Sequence, residues 1–412
     1  MTLHPIDVAP ANLNRSLIGD LMRKAVRTAV ILSASALVLA GCSAGGDGDG
    51  GGSAEGLKGT GSGESCVIEG TVQVGAALSL TGGAASYGES QQKGLELALE
   101  ELNAAEGVKY ELKVEDDGTD PRQAIGVFEN FVGDGTSAII GPTLSNTAFQ
   151  AQPVAQEAGV PVLAISNTAT GITEQGDFIF RDSLTEAQVI PQTIAAATEK
   201  LGLEKVVVMY SNDDAFTESG FQVMESALED EGVEIADTLT FSVKDTDFRS
   251  LLTAAKEQDA DAIVVSALIE AAIPLVTQAR ELGVDQPIIG GNGFNNPQLM
   301  ADAGDAAEGV IVGAAWNSAS DSPENTDFMA AFEEKHGSGP DQFAAQAYTG
   351  LKIIDHAVRA NCSGERADIQ DGLTQVKDLA TPLGEISINE NRDAEHPAVV
   401  QIVEDGKFAV LK

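Results

Sequence analysis

From residue 71 to the end of the chain, short apolar runs alternate with longer amphipathic stretches. The run TVQVGAALSL at 71–80 is apolar and rich in small and β-branched residues, which is typical of a buried strand. The stretch 91–102 carries leucine and alanine at helical spacing and predicts a helix. YELKVEDD, SAIIG and VPVLAIS then predict three more strands, separated by predicted helices over 121–132 and 145–158.

The same alternation starts again at EKVVVMY, residues 204–210. It predicts helices over 215–231, 246–257 and 270–282 and strands at 233–241, DAIVVSA and QPIIGG. The chain is then completed by the segment EGVIVGAAW, by predicted helices near 324–336, 342–360 and 368–379, and by predicted strands at 384–388 and 398–411. Two such runs predict an α/β fold of two doubly wound lobes with parallel sheets. In this architecture a ligand binds in the cleft between the lobes, at the carboxyl ends of the strands.

The first 42 residues have the order of a secretory signal. Arg23, Lys24 and Arg27 are followed by an apolar run over 29–40 that is too short to span a bilayer as a helix. The segment LAGC, which ends at Cys42, resembles the lipobox of bacterial lipoproteins, in which the cysteine is acylated and becomes the first residue. We expect residues 1–41 to be the signal peptide, with Met22 as the true start. An uncleaved anchor helix or an ordinary secretory signal is the alternative.

Residues 42–65 are rich in glycine, serine and aspartate and nearly free of apolar side chains. Such a segment cannot bury enough surface to fold, so it predicts a flexible tether between a lipid anchor on the outer face of the cell membrane and the folded part. Cys66 and Cys362 are the two cysteines left beside an acylated Cys42. In an oxidising compartment they can form a disulfide, and two free buried thiols are the alternative.

The charge balance argues against nucleic acid as a partner. The chain has 63 acidic and 24 basic residues, a formal net charge of −39. A surface of this sign repels nucleic acid and anionic lipid headgroups. The excess is consistent with a solvated, repulsive shell, or with a habitat of high salt.

Motifs for covalent chemistry are missing from the sequence. It contains no H-E-x-x-H and no P-loop, and DDGTDP at 116–121 lacks the carboxylate spacing of a calcium loop. His336, His356 and His396 have no cysteine or carboxylate at metal-ligand spacing. We therefore expect no catalytic residue, no cofactor and no metal. An enzyme that uses Ser145 would need a base beside its hydroxyl, and no histidine lies in a predicted cleft loop.

Two polar loops follow neighbouring predicted strands. IIGPTLSNTAF at 139–149 places Ser145 as a candidate N-cap, which leaves backbone N–H groups directed at the cleft, where an anionic group such as a carboxylate binds well. AISNTATGIT at 164–173 again places hydroxyl and amide side chains after a strand. Turn formation explains one such loop, but two after adjacent strands indicate a binding site.

The order and spacing of several segments resemble one protein family. The chain resembles the leucine/isoleucine/valine-binding branch of the type I periplasmic binding proteins, the receptors of ABC importers. The segments that carry the resemblance are VQVGAALSLTGGAASYGESQQKGLELALEELN, EDDGTDPRQA, AIIGPTLSNT, GVPVLAISNTAT, FIFRDS, DTDFRSLL and GDAAEGVIV. The resemblance implies a monomer of two lobes joined by three crossovers. Lobe one would comprise 67–184 and 314–383, and lobe two 185–313 and 384–412.

The resemblance also implies ligand-binding residues. In lobe one they are Tyr87, Ser145, Asn146, Thr168, Ala169 and Thr170. Ser145 and the loop 168–170 would hold the α-carboxylate of the ligand, and Tyr87 would flank the cleft.

Lobe two departs from the family pattern. Phe216 stands where an aromatic residue with a hydroxyl is expected, and Leu268 replaces another expected tyrosine. Asn292 stands where amino-acid binders have a glutamate for the ammonium group, and an amide supplies no charge there. Glu186 is a candidate substitute for that glutamate, and a solvated residue in the first turn of a helix is the alternative interpretation.

The function implied is a lipid-anchored solute-binding protein that closes its lobes over a small ligand and delivers it to the permease of an ABC importer. Branched-chain or related amino acids are the first expectation for the ligand. An amine-free carboxylate, or an amide or urea-like solute, is the alternative. A ligand sensor that reports to a membrane receptor is a second alternative for the role.

Overall fold

The computed structural model describes residues 56–412. The expected signal peptide 1–41, the expected lipidation site Cys42 and the first part of the expected tether lie outside the described residues. None of the helices between residues 56 and 412 is both long enough and apolar enough to cross a membrane.

The first sheet is parallel throughout and has the order β2-β1-β3-β4-β5. Its strands are β1 (Thr71–Leu78), β2 (Lys109–Asp116), β3 (Ala138–Ile140), β4 (Val162–Ala164) and β5 (Ile179–Arg181), and the helices between them are α1 (Ala85–Ala104), α2 (Pro121–Gly133) and α3 (Ser145–Glu157). Every residue of β3, β4 and β5 is buried, because helices cover both faces of the sheet. Helix α2 begins as the sequence predicts: Pro121 is its first residue and the Asp120 carboxylate accepts from two backbone N–H groups.

The second sheet has the order β15-β14-β10-β9-β8-β6-β7. Its strands are β6 (Lys205–Ser211), β7 (Glu234–Phe241), β8 (Ala262–Ser266), β9 (Ile288–Gly290), β10 (Ile311–Ala314), β14 (Val399–Glu404) and β15 (Lys407–Val410), and its helices are α4 (Glu186–Leu201), α5 (Ala215–Asp230), α6 (Arg249–Glu257), α7 (Ile269–Glu281) and α8 (Gln298–Ala303). The two-lobed α/β fold predicted from the sequence is confirmed, but this sheet is mixed rather than parallel. Strand β14 pairs antiparallel with β10, and β15 pairs antiparallel with β14 because Asp405 and Gly406, both with positive φ, close a two-residue hairpin.

The remaining described elements pack mainly on the first sheet. They include α9 (Pro323–His336), α10 (Gln342–Asn361), α11 (Arg366–Leu373) and a small antiparallel sheet of β11 (Leu379–Thr381), β12 (Gly384–Ile388) and β13 (Ala394–Glu395). Ile386, Ile388 and Ala394 are buried in the same apolar core as Leu95 of α1. Residues 384–395 therefore lie in lobe one, whereas the prediction had placed them in lobe two.

The chain passes between the lobes three times. The crossings are residues 182–185, 315–322 and 396–398, which connect elements of the first core to elements of the second sheet. Leu184, Val189, Ala315 and Ala398 form a small apolar cluster where these crossings meet. The cluster holds the three connections side by side, as a hinge between two packed bodies requires.

The segment that precedes β1 is ordered, in contrast to the flexible tether predicted through residue 65. Gly59 N–H donates to the Cys362 carbonyl at 2.8 Å, Thr60 pairs with Val67, and Leu57 packs against the core of lobe one. In the structure the Cys66 and Cys362 sulfurs are bonded, with 5.3 Å between the Cα atoms. The described part of the predicted tether is therefore fastened to the C-terminal end of α10.

We expect replacement of both cysteines by serine to lower the free energy of unfolding by roughly 2–5 kcal/mol, because the bridge closes a loop of 296 residues in the unfolded chain. Urea unfolding of the wild type and of Cys66→Ser/Cys362→Ser measures the difference. Peptide mapping without reductant is the direct control, since two free thiols in the wild type would contradict the bridge.

Candidate functional site

A cavity lies between the two sheets, at the carboxyl ends of their parallel strands. It is lined from both lobes by Tyr87, Thr143, Leu144, Ser145, Ser166, Phe216, Leu268, Asn292, Gly293 and Phe343. Its volume is only about 20 Å³, far below the roughly 300–1,000 Å³ of a typical small-ligand pocket. The structure is therefore a closed arrangement, and a ligand of amino-acid size enters only if the lobes separate.

The lobe-one floor of the cavity is a closed hydrogen-bond network. Thr143 Oγ1 donates to Gln91 Oε1 at 2.7 Å, and Gln91 Nε2 donates to Ser166 Oγ at 2.7 Å. Ser166 Oγ in turn donates to the Thr143 carbonyl at 2.6 Å, and the Ser79 N–H donates to Thr143 Oγ1 at 2.9 Å. Because these groups satisfy one another, the network fixes the two polar loops that follow β3 and β4.

Ser145 is the first residue of α3 rather than its N-cap. The N-cap is Leu144, whose side chain cannot accept a hydrogen bond. The prediction of Ser145 as N-cap is therefore wrong by one position. Ser145 lines the cavity, and its Oγ accepts from the Ala169 N–H at 3.3 Å, which joins the two polar loops.

The loop 168–170 adjoins the cavity without lining it. Thr168 is buried, and its hydroxyl lies near the Glu186 carboxyl group. The Thr170 N–H donates across the cleft to Ser219 Oγ of α5 at 3.0 Å, and Ser219 Oγ donates to Thr170 Oγ1 at 3.2 Å. The backbone of this loop thus directs a donor toward lobe two.

Glu186 is a buried carboxyl group at the boundary of the lobes. Its side chain is 1% exposed, and its Oε1 has no hydrogen-bond partner in the described part of the chain. Burial raises the pKa of Glu186 to about 7, although the nearby Thr168 hydroxyl and Arg181 guanidinium oppose the rise. The alternative of a solvated helix residue is therefore excluded.

The position of Glu186 is set by both lobes. Its N–H donates to the Thr168 carbonyl at 3.0 Å, and a Cβ on Gly220 or on Gly291 would lie 3.5 Å from its Oε2. Gly291 directly precedes Asn292. The carboxyl group therefore lies between the loop 168–170 and the chain that leads into the cavity wall of lobe two.

Tyr87 connects the lobes through its hydroxyl group. The hydroxyl donates to the Gly293 carbonyl at 2.6 Å and accepts from the Ile269 N–H at 2.7 Å. The ring packs against Phe343 with 4.4 Å between centroids and joins the apolar core of lobe two. With its hydroxyl used in this way, Tyr87 offers a ligand only the face of its ring.

Asn292 has a defined orientation. The backbone N–H of Ala315 can only donate, so the Gln342 atom 2.6 Å from it is Oε1. Gln342 Nε2 then donates to Asn292 Oδ1 at 2.5 Å. The amide nitrogen of Asn292 is consequently directed away from Gln342, so the side chain has a donor to offer the cavity that it lines.

The remaining wall of the cavity is apolar and comes from Leu144, Phe216, Leu268 and Phe343. Phe216 lies in the first turn of α5, where the Asp214 carboxylate caps the helix. Asn146 does not line this cavity but a neighbouring cleft of about 410 Å³ between the lobes. The central site thus has a polar side, in lobe one and at Asn292, and an apolar side.

Several residues of the site were not identified from the sequence. Gln91, Ser219, Gln342 and Phe343 lie on helices, where polar and aromatic residues give no local signal of a binding site. Thr143 follows a strand directly, and this placement alone could have indicated it. Tyr87, Ser145, Phe216 and Asn292, which were predicted, do meet at one cavity.

A groove of about 960 Å³ lies elsewhere, on the outside of lobe one along α1 and α10. Its charged groups are partly paired: Lys352 contacts Glu101, and Arg359 contacts Asp355. Within residues 56–412, no group of three or more His, Cys, Asp and Glu side chains is placed to hold a metal ion.

The comparisons with known proteins agree with this geometry. The sequence model of a family described as periplasmic binding protein matches residues 71–407. A leucine-, isoleucine-, valine-, threonine- and alanine-binding protein of Pseudomonas aeruginosa is 26% identical over 330 residues, which are 79% of this chain and 88% of that protein.

Solved structures show the same fold. The branched-chain amino acid transporter substrate-binding protein LivJ of Streptococcus pneumoniae, in complex with isoleucine, is 29% identical with a TM-score of 0.78, over 82% of this chain and 98% of that one. An ABC-transporter solute-binding protein of Rhodopseudomonas palustris, in complex with 3,4-dihydroxybenzoic acid, is 26% identical with a TM-score of 0.76. The match covers 83% of this chain and 96% of that one.

We expect Tyr87→Phe to shift the protein toward an open arrangement, because two buried backbone groups of lobe two lose their partner when the lobes close. The cost of about 1–3 kcal/mol lowers the ratio of closed to open molecules by roughly 5- to 150-fold. The radius of gyration from small-angle X-ray scattering of the ligand-free protein measures the change. Tyr110→Phe is the matched control, because the Tyr110 hydroxyl bonds Asp355 within lobe one; an equal radius in Tyr87→Phe and wild type would contradict the expectation.

Proposed function

Because the chain belongs to the periplasmic binding protein family, we propose that it is the solute-binding component of an ABC importer, acting outside the cytoplasm. It captures a small ligand between its lobes and presents the closed form to a membrane permease. Acylation at Cys42 would keep it at the outer face of the cell membrane. Relatives named as branched-chain amino acid binders, and the two-sided character of the cavity, support this proposal.

The mechanism is conformational and involves no covalent step. In the open form the hinge cluster keeps the lobes connected, and a ligand contacts the loops of lobe one first. Closure then adds contacts from Phe216, Leu268 and Asn292, and it buries the ligand. Since only the closed form makes both sets of contacts, the ligand shifts the population toward closure.

The ligand we propose is an amino acid with an apolar side chain. Its carboxylate is taken by Ser145 and the backbone of the loop 168–170, and its side chain by the apolar wall. The observation that carries this assignment is the buried Glu186 carboxyl group, whose Oε1 has no hydrogen-bond partner in the described chain, since an ammonium group placed there supplies a charge and a donor.

A specific observation favours a second candidate ligand. Asn292 presents a donor, because Gln342 occupies its oxygen, and a donor recognises a carbonyl or hydroxyl group better than an ammonium group. A 2-oxo acid, or a carboxylate with no amine such as the dihydroxybenzoate held by the Rhodopseudomonas palustris protein, satisfies this donor. The two candidates differ in whether Glu186 or Asn292 decides the ligand.

A calorimetric comparison of isoleucine with its 2-oxo acid separates these candidates. For an amino-acid binder we expect isoleucine to bind more tightly than its 2-oxo acid. Glu186→Gln should then lower the affinity for isoleucine by roughly 10- to 100-fold and change the affinity for the 2-oxo acid little. Glu270→Gln is the matched control, because Glu270 is another largely buried carboxyl group beside the opposite lobe, near Gly83. It should affect both ligands equally.

Tighter binding of the 2-oxo acid would favour the second candidate, and Asn292→Glu should then reverse the preference. If neither compound nor 3,4-dihydroxybenzoate binds, the proposed ligand classes are wrong.

We expect the stability of the ligand-free protein to reveal the cost of burying Glu186. The folded-state pKa of about 7 lies above the usual 4.5, so the folded state retains a proton that the unfolded state loses. Stability therefore falls as pH rises from 4.5 to 7 and then stays low. Glu186→Gln should raise the free energy of unfolding by about 1–3 kcal/mol at pH 8 and hardly at all at pH 4. Thermal unfolding at both pH values is the measurement, and equal gains at both would contradict the buried ionised carboxylate.

A further inference from the structure

Arg181 carries a buried charge, and two of its hydrogen bonds are made to residues 167–170, the ligand loop. It is the last residue of β5 and only 3% exposed. Its Nη1 donates to the carbonyls of Asn167 at 3.0 Å and Ala169 at 2.8 Å, and its Nε donates to Asp393 Oδ1 at 2.6 Å. A buried guanidinium needs several hydrogen-bond acceptors. Two of the acceptors of Arg181 are backbone carbonyls of the loop that adjoins the cavity.

Holding these two carbonyls determines where the next N–H groups point. In a trans peptide the C=O and the N–H of the following residue point in opposite directions. With the carbonyls of Asn167 and Ala169 directed at Arg181, the N–H groups of Thr168 and Thr170 are directed away from it. The Thr170 N–H does face the cleft, since it reaches Ser219 of lobe two at 3.0 Å.

The guanidinium is itself held by a turn next to the hinge. The turn 389–393 lies between β12 and β13, just before the third crossing. Its Arg392 carbonyl accepts from the Arg181 N–H at 3.1 Å, and Thr173 Oγ1 also donates to Asp393 Oδ1 at 3.1 Å. The Asp393 N–H donates to Asn389 Oδ1 at 3.1 Å, which closes the turn. Arg181 thus connects the ligand loop with the ends of the first and third crossings.

We propose that Arg181 is a positioning residue for carboxylate recognition, and that Asp393 supports it from the hinge. Arg181 holds the peptides of the loop 167–170 so that the N–H groups of Thr168 and Thr170 remain directed into the cleft after the lobes separate and Ser219 withdraws. The ligand carboxylate then meets donors that are already oriented, and less ordering entropy is lost on binding. This inference rests on the proposed function, because it requires a ligand with a carboxylate.

The test compares two arginines that each pair with an aspartate in lobe one. Arg181→Met should weaken binding of isoleucine and of its 2-oxo acid alike, by roughly 10- to 100-fold, because both carry the carboxylate. Arg359→Met is the matched control: Arg359 pairs with Asp355 at 2.8 Å on α10, away from the cleft. It should leave both affinities unchanged, even where it lowers the melting temperature.

Hydrogen exchange separates positioning from a general loss of stability and requires no ligand. In Arg181→Met the amides of Ala169 and Thr170 should exchange about 10-fold faster or more, whereas amides of β1 and β3 keep their wild-type rates. Asp393→Asn should produce the same change to a smaller extent, and Arg181→Lys should restore part of it. Wild-type exchange in the loop of Arg181→Met, or wild-type affinity for both probes, would overturn the proposal.

The outcome is distinguishable from a failure of the proposed function. If neither probe binds the wild type, the carboxylate ligand class is wrong, and faster exchange confined to the loop would still show that Arg181 orders it. If the probes bind the wild type but Arg181→Met does not fold, Asp393→Asn and Arg181→Lys carry the test. Affinities and loop exchange unchanged in both would refute the positioning role.

Discussion

The two large sheets are joined by three crossings that meet in one apolar cluster, and this connection makes the carboxyl ends of both sheets face each other. Loops follow these ends, and loops expose backbone N–H and C=O groups. When the lobes close, such groups leave water and must find partners in the opposite lobe. Tyr87, Gln342 and Ser219 supply those partners, so the closed form is held by polar contacts as well as by apolar packing.

Arg181 and Glu186, two buried ionisable groups near the ligand loop, differ in how many of their polar atoms have hydrogen-bond partners. Arg181 has partners for its charge and its donors, and the loop 167–170 is part of that arrangement. Glu186 is equally buried but keeps one oxygen without a partner in the described structure. Burying a carboxyl oxygen without a partner destabilises a fold, and such groups are found at sites where they serve binding or switching. The proposed function assigns this oxygen of Glu186 to the ammonium group of the ligand.

Part of the candidate site followed from the sequence, because loops after parallel strands gather at one end of a sheet. Ser145 and the loop 168–170 were found in this way, and the family resemblance added Tyr87, Phe216 and Asn292. Gln342 and Arg181 gave no signal, since a polar residue on a helix or at the end of a strand has many structural explanations. Their contacts join residues that are 50 and 212 positions apart, and no local pattern encodes such pairs.

The sequence by itself determined the elements and their two-lobed arrangement, because the period of apolar residues depends only on local geometry. The tertiary structure decided three further features: residues 384–395 return to lobe one, the segment 57–65 is fastened beside α10, and Glu186 is buried. Each depends on which distant surface covers a residue. A short amphipathic strand, or a glutamate in a first helical turn, is compatible with either outcome until the rest of the chain has packed around it.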